Sequence, residues 1–260
     1  MILPEGILSQ YDAEMRRNPV VASGSRLERI GPIVRVVGTE SMILFSDLGT
    51  ENARAVVAAQ AAFFRGTGGE VEWKVFGHDR PDDLESILAE AGFVPEEPET
   101  LVAFDLQQGL PGGAVPRDIE FRQVADDAGI QDALTASRAA FGPRSSDGPD
   151  HEEEHLRAPN QAVLVAYADG APIAMGRVDF PPGRSFAGLW GGGTAPEYRH
   201  RGVYRGLVAA RAALARSNGY RFLTVDARDT SRPILERLGF AKLTTTRPWI
   251  LRPTSKDPGR

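Results

Sequence analysis

The stretch that decides the reading of this chain is Thr194-Ala195-Pro196-Glu197-Tyr198-Arg199-His200-Arg201-Gly202-Val203-Tyr204-Arg205-Gly206-Leu207. Before it, Phe186-Ala-Gly-Leu-Trp190-Gly-Gly-Gly-Thr194 reads as a strand ending in a run of glycines. After it, Leu207 to Arg216 reads as a helix. The loop between them carries Arg199, Arg201 and Arg205, and His200 adds charge when protonated. Gly202 lets a backbone N–H approach a ligand closely. The first N–H groups of a helix have no partner inside it, and the helix dipole adds partial positive charge there. Such a junction suits an anion, a pyrophosphate above all. A solvated basic turn is the plainer alternative. The whole chain is acidic, with a formal net charge of -5. A local basic cluster in that setting points to a small anionic ligand, not to nucleic acid, which calls for a broad basic face.

The length of 260 residues suits one large domain or two small ones. The chain has no cysteine, which excludes disulfides, thiolate metal sites and a cysteine nucleophile. Met1-Ile-Leu-Pro-Glu5 lacks the basic start and apolar run of a signal peptide, and no stretch approaches membrane-spanning length. The expectation is a soluble cytoplasmic protein with no membrane partner and an unassigned oligomeric state.

Gly109-Leu-Pro-Gly-Gly-Ala-Val-Pro-Arg117 is the best linker in the chain. It suggests a domain over residues 1–108, a linker over 109–116 and a second domain over 117–260. In the second half, strands are expected at Ile119–Gln123, Ala162–Tyr167, Pro172–Phe180, Phe186 onward, Tyr220–Asp226 and Lys242–Leu251. Asp169-Gly170 is a strong hairpin turn. Helices are expected at Asp127–Ala140, Glu152–Arg157, Leu207–Arg216 and Arg232–Leu238. The first half echoes this order. There Val71–Phe76, a helix from Pro81 to Ala91, Gly92-Phe93 and Leu101–Leu106 repeat strand, helix, Gly-Phe, strand.

Arg199-x-x-Gly202, preceded by Thr194-x-Pro196 and followed by an apolar helix, resembles motif A of the GNAT acetyltransferases. Ser231-Arg-Pro-Ile-Leu-Glu-Arg-Leu-Gly239-Phe240 resembles their motif B. Tyr204 departs from motif A, which places a small residue there. The resemblance implies an α/β (α+β) fold of two tandem GNAT-like domains, each a mixed, mostly antiparallel twisted sheet flanked by helices. It also implies acetyl-CoA as cosubstrate. Gly192, Gly193 and Thr194 would meet pantetheine and the acetyl carbonyl. Arg199, His200, Arg201, Gly202, Val203, Tyr204 and Arg205 would cradle the pyrophosphate. The corresponding junction of the first half carries Asp47 and Glu51 and a single glycine, so residues 1–108 are expected to be a degenerate domain without a cofactor site.

The implied reaction moves an acetyl group from acetyl-CoA to an amine of a small molecule or peptide by direct attack. The alternative is a non-catalytic acyl-CoA-binding or regulatory protein on the same scaffold. Many family members carry a tyrosine acid where this chain has Leu235. Tyr204 and Ser231 are the remaining hydroxyl candidates for the acid, although Ser231 also suits a helix cap. Asp179 and Asp226, or a water chain, are candidates for the base, and both carboxylates also suit structural roles. His151-Glu-Glu-Glu-His155 matches H-E-x-x-H literally. The segment is short, acidic and bounded by Pro149 and Pro159, which is unlike a buried zinc helix, and no metal is expected.

Overall fold

The computed structural model describes residues 3–38, 40–112, 116–142 and 149–253, with only the backbone of 149–152. In chain order the elements are α1 (Ile7–Tyr11), which continues as a π-helical turn over Asp12–Arg16, β1 (Arg26–Ile30), β2 (Ile33–Val37), β3 (Ser41–Ser46), α2 (Ala53–Thr67), β4 (Val71–Phe76), α3 (Leu84–Glu90), β5 (Val94–Pro95) and β6 (Glu99–Asp105). There follow β7 (Glu120–Gln123), α4 (Asp127–Phe141), α5 (Pro149–Leu156), β8 (Gln161–Ala168), β9 (Ala171–Asp179), β10 (Phe186–Thr194), α6 (Val203–Ser217), β11 (Phe222–Ala227), α7 (Arg232–Arg237) and β12 (Ala241–Leu251).

The chain divides into two compact units. The N-terminal unit comprises Gly6–Leu101 and the segment from Leu243 onward; the C-terminal unit comprises Val102–Lys242 and the residues before Gly6. The division therefore falls inside β6 and again inside β12, not at the 109–116 linker read from composition. Proline and glycine content does not decide where a strand belongs; its pairing does. The second half of β12 pairs antiparallel with β4, from Thr246↔Phe76 to Leu251↔Val71. At the end of β6, the Leu106 N–H donates to Arg221 O at 2.8 Å.

Within the C-terminal unit the strand order is β6-β11-β10-β9-β8-β7. Alternating residues of β8 face opposite layers. Ala162, Leu164 and Ala166 pack with Val203, Leu207 and Val208 of α6. Val163, Val165 and Tyr167 pack with Ile130, Ala133 and Leu134 of α4. The β8–β9 hairpin turns through Asp169 at φ 49° and Gly170 at φ 79°, the two positive φ values that a two-residue turn of this hand requires.

The N-terminal unit repeats the arrangement. Its β1-β2-β3 run is antiparallel, β3 pairs parallel with β4, and α2 connects them. In the C-terminal unit β8-β9-β10 is antiparallel, β10 pairs parallel with β11, and α6 connects them. The Gly-Phe pairs match in detail. Gly92 (φ 91°) and Gly239 (φ 96°) end α3 and α7. The Phe93 N–H donates to Leu88 O and the Phe240 N–H to Leu235 O, each at 3.0 Å. Glycine is needed at both because the helix exit is left-handed.

In each unit the parallel pairing lasts three residues and then stops: Ser41, Met42 and Ile43 with Val71, Glu72 and Trp73, against Phe186, Ala187 and Gly188 with Phe222, Leu223 and Thr224. In the N-terminal unit the opening beyond Ile43 is filled from within. Arg16, 2% exposed, donates from Nε to Leu44 O at 3.1 Å and binds Asp79 with both Nη2 contacts at 2.7 and 2.8 Å. Asp79 in turn accepts from the Phe76 N–H at 3.0 Å, and the guanidinium lies 3.7 Å from the Phe76 ring centroid. Asp12 adds a second carboxylate at 2.9 Å. Removing one side of such a pair leaves buried charge uncovered. Arg16→Ala should therefore cost about 3–5 kcal/mol in urea denaturation; a cost under about 1 kcal/mol, the range of a surface pair, would show that the network does not hold the unit together.

Candidate functional site

In the C-terminal unit the same opening is built differently. Trp190↔Arg177 is the last regular pair of β10 with β9 before the register shifts, and it resumes at Gly193↔Met175. Gly191 and Gly192 thus stand opposite Gly176 as a bulge, which bends the strand and leaves backbone groups outside the ladder. On its other side β10 has no register with β11 beyond Gly188. The glycine run is required sterically. A Cβ on Gly192 would come within 3.2 Å of Tyr204 Cε2, and one on Gly193 would collide with the Phe141 ring and lie 2.8 Å from Ala140 Cβ.

Beyond Thr194, a short 3-10 turn over Pro196–Tyr198 leads to the loop, and α6 starts at Val203. His200 (φ 62°) and Gly202 (φ 84°) are both left-handed, so the loop curls around its own N–H groups and opens into the start of α6. The first helical bond is Gly206 N–H to Gly202 O at 3.0 Å. The preceding N–H groups, of Val203, Tyr204 and Arg205, have no acceptor inside the helix. A concavity of N–H groups at a helix start is the kind of geometry that suits an anion. In the N-terminal unit the equivalent turn satisfies itself: the Gly49 N–H donates to Asn52 Oδ1, and the Ala53 N–H to Gly49 O, both at 3.1 Å.

The loop cations divide by partner. Arg199 donates from Nε to Thr194 O and from Nη2 to Ala140 O, both at 3.1 Å. It ties the end of β10 to the end of α4, so much of its guanidinium is committed to backbone. Arg201 pairs with Asp118 at 2.6 Å and lies 5.2 Å from the Tyr198 ring centroid. His200 and Arg205 are exposed, and Arg205 Nη2 lies 3.3 Å from where a Gly202 Cβ would be. Sequence counting treats all four as equivalent; the fold leaves His200 and Arg205 exposed, with no ion pair among the described residues.

Tyr204 turns inward, with its ring against Gly192 and Arg211. Burial raises its pKa, opposed in part by the charge of Arg211. Ser231 precedes α7 but makes no side-chain cap there; its hydroxyl donates to Arg228 O at 3.2 Å. Leu235, where the family's tyrosine acid would stand, is fully buried in the core. Asp226 lies near the end of β11, past the last β10 pair. Asp179 ends β9 opposite Gly188. Its Oδ1 lies 3.3 Å from Arg177 Nε, yet neither atom is aligned for a hydrogen bond. Burial raises the Asp179 pKa, with Arg177 only partly offsetting it. Trp190, 41% exposed, and Phe141, 48% exposed, flank the bulge, and Arg211 lies beneath it. None of these three was singled out by sequence reading; Arg211 in particular looks like one more polar residue of a surface helix. Of the H-E-x-x-H segment, the His151 and Glu152 side chains lie outside the described residues. Among the described residues no group of three or more potential ligands could hold a metal ion.

A raised carboxyl pKa has a definite sign in stability. The folded state holds the Asp179 proton to higher pH than the unfolded chain, so stability falls as pH rises from the ordinary value of 3.8 through the folded value. Asp179→Asn removes that loss. The melting temperature of the variant relative to wild type should be higher at pH 7 than at pH 4; an equal difference at both pH values would contradict the shift.

A model of the acetyltransferase (GNAT) family matches residues 130–240. A search of curated proteins found no match. Among solved structures, a GCN5-related N-acetyltransferase from Kribbella flavida superposes with a TM-score of 0.69 at 16% identity, covering 94% of this chain and 93% of that one. A tandem GNAT protein from the clavulanic acid biosynthesis pathway gives 0.64 at 14% identity, covering 96% and 94%. A GCN5-related N-acetyltransferase from Sphaerobacter thermophilus gives 0.63 at 14% identity, covering 87% and 83%. Among the described residues no helix is long and apolar enough to cross a membrane. The β10 bulge, the α6 junction and the Gly-Phe exit of α7 all lie within the matched segment, so residues 130–240 form a domain that matches the GNAT acetyltransferase family.

Proposed function

We propose that the protein is an N-acetyltransferase that moves an acetyl group from acetyl-CoA to an amine of a small molecule or peptide. The observation that carries this is the end of β10–β11 pairing at Gly188, immediately followed by the glycine bulge and the left-handed loop at the start of α6. The loop supplies N–H groups for the pyrophosphate, with His200 and Arg205 beside them. Backbone of β10 beyond Gly188, including Gly192, Gly193 and Thr194, supplies hydrogen-bonding groups for the pantetheine arm. Arg199 and Arg201 contribute chiefly by holding the loop in shape.

In the reaction a neutral amine nitrogen attacks the thioester carbonyl carbon. The C–N bond forms, negative charge gathers on the carbonyl oxygen, and backbone N–H groups at the bulge stabilise it. The C–S bond then breaks. The amine proton passes to a base, and the CoA thiolate takes a proton from an acid. Asp179 suits the base because burial raises its affinity for a proton; Asp226, across the opening on β11, is the second candidate. Tyr204 suits the acid. Burial keeps it protonated at neutral pH, and its hydroxyl makes no hydrogen bond among the described residues. The Ser231 hydroxyl is already given to Arg228 O and ranks behind it. The N-terminal unit takes no acetyl-CoA, since Arg16 and Asp79 occupy its opening and Gly49–Ala53 closes its loop. A cytoplasmic location belongs to the same proposal, because the donor is made and kept there.

Acyl-CoA binding without turnover is the second reading, favoured by the buried Leu235 at the family's acid position. Thiol release from acetyl-CoA across an amine panel, with mass-spectrometric detection of acetylated product, decides between them; binding with no release from any amine supports the second.

Acetyl-CoA should raise the melting temperature, as a ligand selective for the folded state must. Calorimetric titration should give one equivalent per chain. Gly202→Asp places bulk and negative charge at the left-handed turn and should abolish both signals. Two equivalents, or binding that survives in Gly202→Asp, would mean that the cofactor site has been misplaced. Tyr204→Phe should lower turnover by about 10²–10⁴-fold while acetyl-CoA binding stays nearly intact; near-normal turnover would leave water as the proton source.

A further inference from the structure

Arg211 lies two turns along α6 from Tyr204 and is 1% exposed. Its Nε donates to Leu207 O at 3.2 Å, within its own helix. Its Nη1 donates to Arg177 O at 3.1 Å and to Trp190 O at 3.3 Å. Those two residues form the last regular β9–β10 pair before the bulge. Facing glycines make the space: a Cβ on Gly176 would lie 2.8 Å from Nη1, and one on Gly192 would lie 3.0 Å from Nη2. No carboxylate pairs with Arg211 among the described residues. Burial lowers its pKa to about 10, which still leaves it charged at neutral pH.

An uncovered buried cation is costly, and filling the same space with an apolar side chain avoids the cost. Packing alone therefore does not account for an arginine here. Its position suggests what does. The Trp190 carbonyl and the Gly191 N–H belong to one peptide unit. A charged donor on that carbonyl polarises the unit and strengthens its N–H as a donor, the more so in a low-dielectric surrounding. The charge also sits beneath the segment where the thioester oxygen is expected to become negative.

We propose that Arg211 is a positioning residue for acyl transfer: through the Trp190 and Arg177 carbonyls it fixes the bulge and strengthens its backbone donors toward the thioester oxygen. It does not touch the substrate and acts through the backbone of β10. Because this rests on the acetyl-transfer reading, the decisive measurement needs no acceptor and no turnover.

The carbonyl stretch of carbonyl-¹³C acetyl-CoA bound to the full-length protein reports polarisation directly. In wild type it should fall below the solution frequency. In Arg211→Met it should return most of the way toward solution, and in Arg211→Lys, which keeps the charge with one fewer arm, it should lie between. Once an acceptor is known, Arg211→Met should lose about 10²-fold in turnover with little change in acetyl-CoA affinity, the scale of one missing oxyanion donor. A bound carbonyl frequency in Arg211→Met equal to wild type overturns the inference while leaving the proposed function standing. Absence of acetyl-CoA binding by wild type overturns both. Should Arg211→Met fail to fold, Arg211→Gln carries the same test, since it removes the charge but keeps a donor for the carbonyls.

Discussion

The parallel pairing of β10 with β11 ends after Gly188↔Thr224, and the candidate site depends on that ending. A sheet that continued would bury the strand's N–H and C=O groups in a ladder. A sheet that stops leaves them to be satisfied by something else. Here the bulge at Gly191–Gly192 also interrupts the pairing of β10 with β9, which resumes at Gly193↔Met175. Part of the resulting demand is met from below by Arg211, which takes the Trp190 and Arg177 carbonyls. Part is met at the end of the strand by Arg199, which takes the Thr194 carbonyl. Two arginines thus hold an irregular strand from its own helix and from the loop that follows it. The interaction that makes the site possible is therefore structural before it is chemical.

The N-terminal unit shows what the same scaffold does when the opening is not kept. Its β3–β4 pairing also lasts three residues. The unmet backbone groups there are answered by side chains of the unit itself, the Leu44 carbonyl by Arg16 and the Phe76 N–H by Asp79. Arg16 and Asp79 then satisfy each other, so the network closes within the unit. One topology has two outcomes, decided by a few residues at the tip of the opening. That is why topology supports only the fold, and the residues at each site must carry the rest.

Several parts of this were legible in the sequence because they are local. Asp169-Gly170 needs two left-handed residues in succession, and it has them. Gly92-Phe93 and Gly239-Phe240 mark helix exits by the same rule, and their repetition exposed the internal duplication. The glycine run marked the end of its strand, and the bulge falls on it. What failed was anything set by partners distant in sequence. β1 is a mostly exposed strand with little alternation and was not anticipated. α2 starts only at Ala53, after Asn52 has accepted the Gly49 N–H on its side chain. The unit boundaries lie within β6 and β12, since pairing overrides the composition of 109–116. Arg16 and Arg211 are each held by groups brought from other elements, and no spacing in the sequence announces them.

The loop arginines mislead in an instructive way. Four positive side chains near a helix start suggest an electrostatic cradle, yet Arg199 and Arg201 are engaged with backbone and with Asp118. What the loop still offers a ligand is first the N–H groups fixed by the left-handed His200 and Gly202, with the exposed His200 and Arg205 second. Backbone donors do not depend on the side chain that follows them. A tyrosine can then replace the small residue expected at position 204 without closing the cradle, provided that its ring leaves by another route. It does so by packing inward against Gly192 and Arg211. That route places a phenol and an uncompensated guanidinium together beneath the bulge, each moved from its ordinary pKa by the same burial. The departure from the family pattern and the unusual buried cation are thus two sides of one packing arrangement, and Gly176 and Gly192 are the residues that give it room.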